Sequence, residues 1–168
     1  MKKTVYIFFL SENDVGPLNH VNAFIKFHDK KIITFSNVIS KKLETTFKNY
    51  YINSRNLFVL QIVCFFKLFL ELKKDKTIDT IIIRHSVGFF LYFFLKFFFK
   101  IKIFVEINGL LFKDLEDREK NFIIKFFNYL IESFIFKISD KIIVVHKNLI
   151  PQIADRYKIN LNKFVEIT

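Results

Sequence analysis

Short apolar runs and longer amphipathic stretches alternate along this chain of 168 residues. Thr4 to Leu10, Lys31 to Phe35, Asp79 to Arg84, Ile101 to Ile107, Asp140 to Val145 and Lys163 to Ile167 are rich in β-branched or aromatic residues. Such continuous runs are the pattern of strands buried on both faces of a parallel sheet. Between them the spacing predicts helices. Leu18 to His28 carries Val21, Phe24, Ile25 and Phe27 on one side, after a loop from Ser11 to Pro17, whereas the polar segment Ser36 to Asn56 gives only a weak helical signal. Leu57 to Lys74 is a helix whose polar positions Gln61, Lys67, Glu71 and Lys74 form a narrow stripe, so most of its surface is expected to be covered. Val87 to Lys100 sets Gly88, Tyr92, Lys96 and Lys100 four apart, a thin wet seam on a phenylalanine cylinder that packs on a sheet, a partner or lipid. Leu115 to Ile138 reads as a long helix with Asp117, Asn121, Lys125, Asn128 and Glu132 outward and Phe122, Phe126, Leu130, Phe134 and Ile138 inward. Lys147 to Tyr157 is the last helix.

Strands alternating with helices predict an α/β fold with a doubly wound parallel sheet. The length suits one domain spanning residues 1–168, with no internal repeat and no Gly/Ser-rich linker. The three glycines, Gly16, Gly88 and Gly109, each follow a predicted strand. They are expected to mark strand-to-helix turns on one edge of the sheet, the edge where open α/β sheets bind ligands. The chain stops just after its last strand has begun, an unusual ending for a complete fold.

Composition changes this picture in a few respects. Hydrophobic residues make up 52% and phenylalanine fills 25 positions, a skew that resembles AT-rich codon usage. The formal charge of +11 favours anionic partners such as a bilayer surface or phosphorylated ligands. Nucleic acid is not expected, because the lysines are scattered at helical spacing with no dense basic run. The single cysteine, Cys64, lies in an apolar stretch and reads as an inert buried thiol in a reducing compartment. The start imitates a signal peptide, yet its apolar part is seven residues long and no small-residue cleavage site follows. Lys67, Glu71 and Lys96 interrupt the two most apolar stretches, and neither reads as a membrane span.

The common phosphate-binding signatures G-x-G-x-x-G and G-x-x-x-x-G-K-[ST] are absent, so no self-sufficient nucleotide site and no cofactor are expected. His20, His28, His85 and His146 lie far apart without cysteine pairs, which gives no metal-ligand spacing. Candidate chemistry therefore concentrates where strands end: Asn13 to Gly16, Arg84 and His85, Glu106 to Gly109, and His146. Arg84 can pair with a phosphate or carboxylate in forked geometry, and Glu106 is a carboxylate near the end of an otherwise apolar strand.

The order of these motifs resembles a known family. The first hydrophobic strand, Gly16, His20-Val21, Asp79 to Arg84, Val105-Glu106-Ile107-Asn108-Gly109, a long helix and Ser139 to Val145 are similar to the N-terminal domain of family 4 retaining glycosyltransferases. The resemblance runs over nearly the whole chain and implies the Rossmann-like N-terminal half of a GT-B architecture. Members carry two glycines after the first strand, near the donor diphosphate; here Val15 stands at the first and Gly16 at the second. Many have histidine near the transferred sugar where this chain has Asn108, close to Glu106. Glu106 and Asn108 are thus the catalytic candidates, while Asn13, Gly16, Arg84, His85, Gly109 and His146 are the substrate-binding candidates by their place at the strand ends. In the family a second Rossmann-like domain binds the nucleotide-sugar donor. That C-terminal domain is expected to be missing or supplied by a separate chain, leaving an acceptor-binding half that does not transfer sugar alone. The implied acceptor is a glycan or lipid-linked molecule, and the implied place is the cytoplasm, with peripheral attachment to the inner face of the membrane. The alternative is a non-catalytic membrane-surface or protein-binding module of the same fold.

Overall fold

The computed structural model describes residues 2–10, 15–27, 32–37, 48–54, 56–84, 89–109 and 121–166. Its centre is a parallel sheet of seven strands: β1 (Lys3–Phe8), β2 (Ile32–Ser36), β3 (Lys48–Tyr51), β4 (Ile78–Arg84), β5 (Lys102–Ile107), β6 (Lys141–Val144) and β7 (Phe164–Glu166). Their order across the sheet is β3-β2-β1-β4-β5-β6-β7. The chain builds outwards from β1 in one direction, then returns and builds in the other, so the direction of winding reverses between β1 and β4. The doubly wound sheet expected from the strand and helix alternation is therefore present.

Two apolar layers hold the sheet. Helix α1 (Val15–Phe27) packs Val21, Phe24 and Ile25 onto Tyr6, Phe8, Ile32 and Ile82 of one face. The opposite face carries a larger core, where Val5, Ile7, Ile81, Ile83, Ile103 and Val105 meet three helical segments and a fourth at the sheet's end. These are α2 (Leu57–Lys74), a 3-10 turn (Phe89–Phe94) running into the short α3 (Leu95–Phe98), α4 (Phe122–Ile138) and α5 (Leu149–Tyr157). Asn56 starts α2 by accepting the amide protons of Phe58 and Val59 at 2.9 and 3.3 Å, a side-chain cap that satisfies otherwise orphaned donors. Asn121 does the same for α4 through the Ile123 amide at 2.9 Å. Cys64 is buried in this core, and burial pushes its thiol up to about 12, in keeping with an inert role.

Several sequence expectations need correction. The weak helix in Ser36 to Asn56 is replaced, where the residues are described, by β3, whose Tyr50 stacks on Phe35 with ring centroids 4.6 Å apart. Val87 to Lys100 is not one α-helix: a 3-10 turn leads into four α-helical residues. The tighter winding aligns positions three apart, which buries Tyr92 and Leu95 together, so Tyr92 belongs to the core and not to a wet seam. Helix α1 begins at Val15, inside the loop expected to reach Pro17. Gln61 of the supposed polar stripe on α2 is buried, whereas Phe58, Phe66 and Leu70 are exposed, so much of that helix is uncovered.

The largest correction concerns α4. Phe122, Phe126, Leu130 and Phe134, expected inward, are exposed, and Glu132, expected outward, is 5% exposed. Tyr157 of α5 donates its hydroxyl proton to the Glu132 carboxylate, and Phe136 packs edge-on against the same tyrosine ring at 5.0 Å. A buried carboxylate needs such a partner, and that pairing turns the helix. Phe136→Ala is accordingly expected to cost about 3–5 kcal/mol, whereas Phe126→Ala should stay within about 0.5 kcal/mol. Urea unfolding of the two variants checks this, and the opposite ranking would overturn the orientation of α4.

Candidate functional site

Glu106 stands near the carboxyl end of β5, next to Arg84 in register on β4. Its side chain is wholly buried, and four neighbours converge on its carboxylate. Tyr6 of β1 donates its hydroxyl proton to Oε2 at 2.6 Å. Asn108, just past the end of β5, donates from Nδ2 to Oε1 at 2.8 Å. His20 of α1 places Nε2 3.2 Å from Oε1, and Arg84 places Nη1 3.6 Å from the same oxygen. The cluster thus joins three adjacent strands to the helix above them, at the point where the winding of the sheet reverses.

The electrostatics follow from this packing. Burial alone drives the Glu106 carboxyl upwards, but the donors His20, Tyr6 and Asn108 and the Arg84 charge outweigh it and hold its pKa below the ordinary value. Tyr6 is held well above its ordinary value by burial first and by the Glu106 charge second, so it remains a phenol that donates. With its lone pairs occupied and its proton affinity lowered, Glu106 is suited to orienting its neighbours. It is poorly suited to proton abstraction. His20 Nε2 and Arg84 Nη1 are buried atoms that complete no hydrogen bond of good geometry among the described residues. Those two atoms face Glu106, and it is the rest of each side chain, 32% exposed for His20 and 11% for Arg84, that can meet a hydroxyl, carboxylate or phosphate oxygen.

The other sequence candidates fare differently. Asn13 and His85 lie outside the described residues, as does Gly88. Gly16 is in the first turn of α1. Gly109 follows β5 in open space, where an added Cβ meets nothing within 4 Å, so no close approach within the described fold requires glycine there. His146, exposed beyond β6, contributes its carbonyl to the Leu149 amide at 3.0 Å and takes no part in the Glu106 cluster. Tyr6 and His20 were missing from the sequence-derived site. A carboxylate in an apolar strand demands polar partners, and that demand was the signal: Tyr6 shares its sheet face, and His20 lies one turn before Phe24 on the apolar side of α1.

The sequence matches no known family profile and no curated protein. Among solved structures, the fold is similar to a glycosyltransferase from Rickettsia africae ESF-5, with a TM-score of 0.56 and 18% identity, covering 99% of this chain and 42% of that one. It is also similar to MnaA of S. aureus in a co-structure with UDP, with a TM-score of 0.60 and 14% identity over 99% of this chain and 43% of that one. A UDP-GlcNAc 2-epimerase from Methanocaldococcus jannaschii gives a TM-score of 0.58 and 15% identity over 99% of this chain and 45% of that one. The chain has a Rossmann-like, GT-B-type fold and spans less than half the length of each of these structures.

Removing the carboxylate by Glu106→Ala leaves buried donors without their shared acceptor and is expected to cost about 3–5 kcal/mol in urea unfolding. A loss below about 0.5 kcal/mol, the level of an ordinary surface substitution, would refute the hub described above. The pH dependence has a definite sign. A carboxyl held below its ordinary value in the folded state contributes stability that is fully present above the unfolded pKa and is lost as pH falls through the folded one. Wild-type protein should therefore lose more stability than Glu106→Gln between about pH 7 and about pH 3. Equal losses would mean that folding does not lower the Glu106 pKa.

Proposed function

We propose that this chain is the N-terminal, acceptor-side half of a glycosyltransferase of the family 4, retaining kind. It works with a second domain that binds a nucleotide-sugar and transfers the sugar to a lipid-linked or polysaccharide acceptor. The Glu106 cluster carries this reading: a fully buried carboxylate at the winding reversal of the sheet, set against the side chains of His20 and Arg84, which are themselves partly exposed. In this role Arg84 and His20 bind oxygens of the acceptor, while Glu106 and Asn108 set their positions. Glu106 acts through its neighbours, so its removal disturbs substrate binding and geometry together. The similarity of fold to a glycosyltransferase and to a protein solved with UDP supports chemistry on nucleotide-linked sugars.

Turnover of a panel of UDP- and GDP-sugars, with membrane extract as acceptor, tests this proposal. The purified chain is assayed alone and mixed with the protein encoded directly downstream. Turnover is expected only in the mixture, and Arg84→Gln should lower kcat/KM by about 10- to 100-fold, the value of one charge-assisted hydrogen bond. Turnover by the chain alone would refute the division of labour. Absence of turnover in both would refute the enzymatic reading in favour of a non-catalytic binding module.

A further inference from the structure

Helix α4 turns an apolar seam outward. Ile123, Phe127, Leu130 and Phe134 are all exposed and follow one another at spacings of four, three and four residues. That is the spacing of heptad core positions, along which one helix packs its knobs into the holes of another. The seam itself carries no charge: Glu132 is buried against Tyr157, Lys125 is half-buried to one side, and Lys137 stands beyond the seam's end. Next to the seam, Phe93, Phe94, Lys96, Phe97, Phe134 and Ile138 line an open groove of about 290 Å³ between α3 and α4. Small-molecule sites occupy roughly 300–1,000 Å³, so this groove is of a size for a side chain. The Lys96 ammonium is spent on Asp140 at 2.8 Å and on the Ile138 carbonyl at 3.2 Å, which leaves the groove aromatic and aliphatic.

The seam is its own complement. Turned end for end about a point between Phe127 and Leu130, it sets Phe127 against Leu130 of the partner subunit and Ile123 against the partner's Phe134. The same register carries the partner's Phe122 to the groove beside Phe134; on the isolated chain Phe122 is 77% exposed. The two Lys137 ammonium groups then lie at opposite ends of the helix pair, about 25 Å apart and beyond the reach of mutual repulsion in physiological salt. Area agrees with this pairing. The exposed phenylalanines of the 3-10 turn, α3 and α4 present roughly 850 Å² at about 200 Å² for a whole side chain, and a stable interface takes about 800 Å² from each partner. A face without charges offers nothing to select a different protein, since charge placement is what fixes partner and register. Among the described residues no helix is long and apolar enough to cross a membrane, and α4 lacks the strongly charged side that an interfacial helix carries.

We infer that the outer face of α4, with the groove beside α3, is the interface of a two-fold symmetric dimer of this chain in which the two α4 helices pack antiparallel. The inference is independent of the proposed sugar transfer. Sedimentation equilibrium of the full chain should show a monomer–dimer equilibrium. Phe127→Ser should weaken it at least about 30-fold, the effect of losing one interface hot spot, and Phe122→Ser should weaken it by emptying the groove. Circular dichroism matching the wild type separates lost pairing from lost folding. The register has its own readout. Ile123→Cys chains mixed with Phe134→Cys chains should join through a short thiol cross-linker, whereas neither variant joins to itself, because like positions lie about 16 Å apart along the axis. Cys64 is fully buried and stays out of the reaction. A wild-type monomer at every concentration, or cross-linking as efficient within one variant as in the mixture, would overturn the inference. Flotation of a monomer with lipid vesicles would overturn it too, and assign the face to a bilayer.

Discussion

A carboxylate without access to water costs several kcal/mol unless donors converge on it, and in this fold the donors to Glu106 come from four separate stretches of chain. Tyr6 arrives from the first strand, His20 from the helix that leaves it, Arg84 from the strand beside Glu106 and Asn108 from the turn beyond. Each is brought within reach only by the order β1-β4-β5 and by α1 lying across that part of the sheet. Topology and polar satisfaction therefore specify one another. The same geometry leaves the candidate site where the two wings of the sheet diverge, with positive groups partly spent on Glu106 and partly available to a ligand.

Elsewhere the chain solves a problem of supply. With 52% hydrophobic residues and phenylalanine at 25 positions, it holds more apolar side chains than one sheet and its helices can enclose. The sheet takes the β-branched residues, because they suit a pleated surface covered on both sides. Phenylalanine fills what remains, inside and outside the helices alike. Burial of Glu132 and Gln61 and exposure of Phe126 and Phe66 are two sides of this, since hydrogen-bond partners, and not polarity alone, decide which way the helices turn.

This also separates what was legible in the amino-acid order from what was not. The central strands were legible within one or two residues because a run such as Ile81-Ile82-Ile83 has no other comfortable environment. Helix existence was legible for Leu57–Lys74, but helix orientation was not: when both sides of a helix are apolar, periodicity loses its contrast. The strand Lys48–Tyr51 was invisible because two of its four residues, Lys48 and Asn49, are poor strand formers, and pairing with β2 overrides that preference. In the site, Arg84, Glu106 and Asn108 were found by their place at strand ends. Tyr6 and His20 were not, since tyrosine in a strand and histidine on an apolar helix face look like packing until the acid between them is located.

The dependence of Glu106 on several partners bears on how such a sequence can drift. A genome rich in A and T presses steadily towards lysine, asparagine, isoleucine and phenylalanine, and helix exteriors can absorb those exchanges singly. The Glu106 hub resists them, because loss of any one donor leaves the buried carboxylate short of a partner. Mutational pressure would thus repaint the outside of this domain long before it reached the point where β1, β4 and β5 meet.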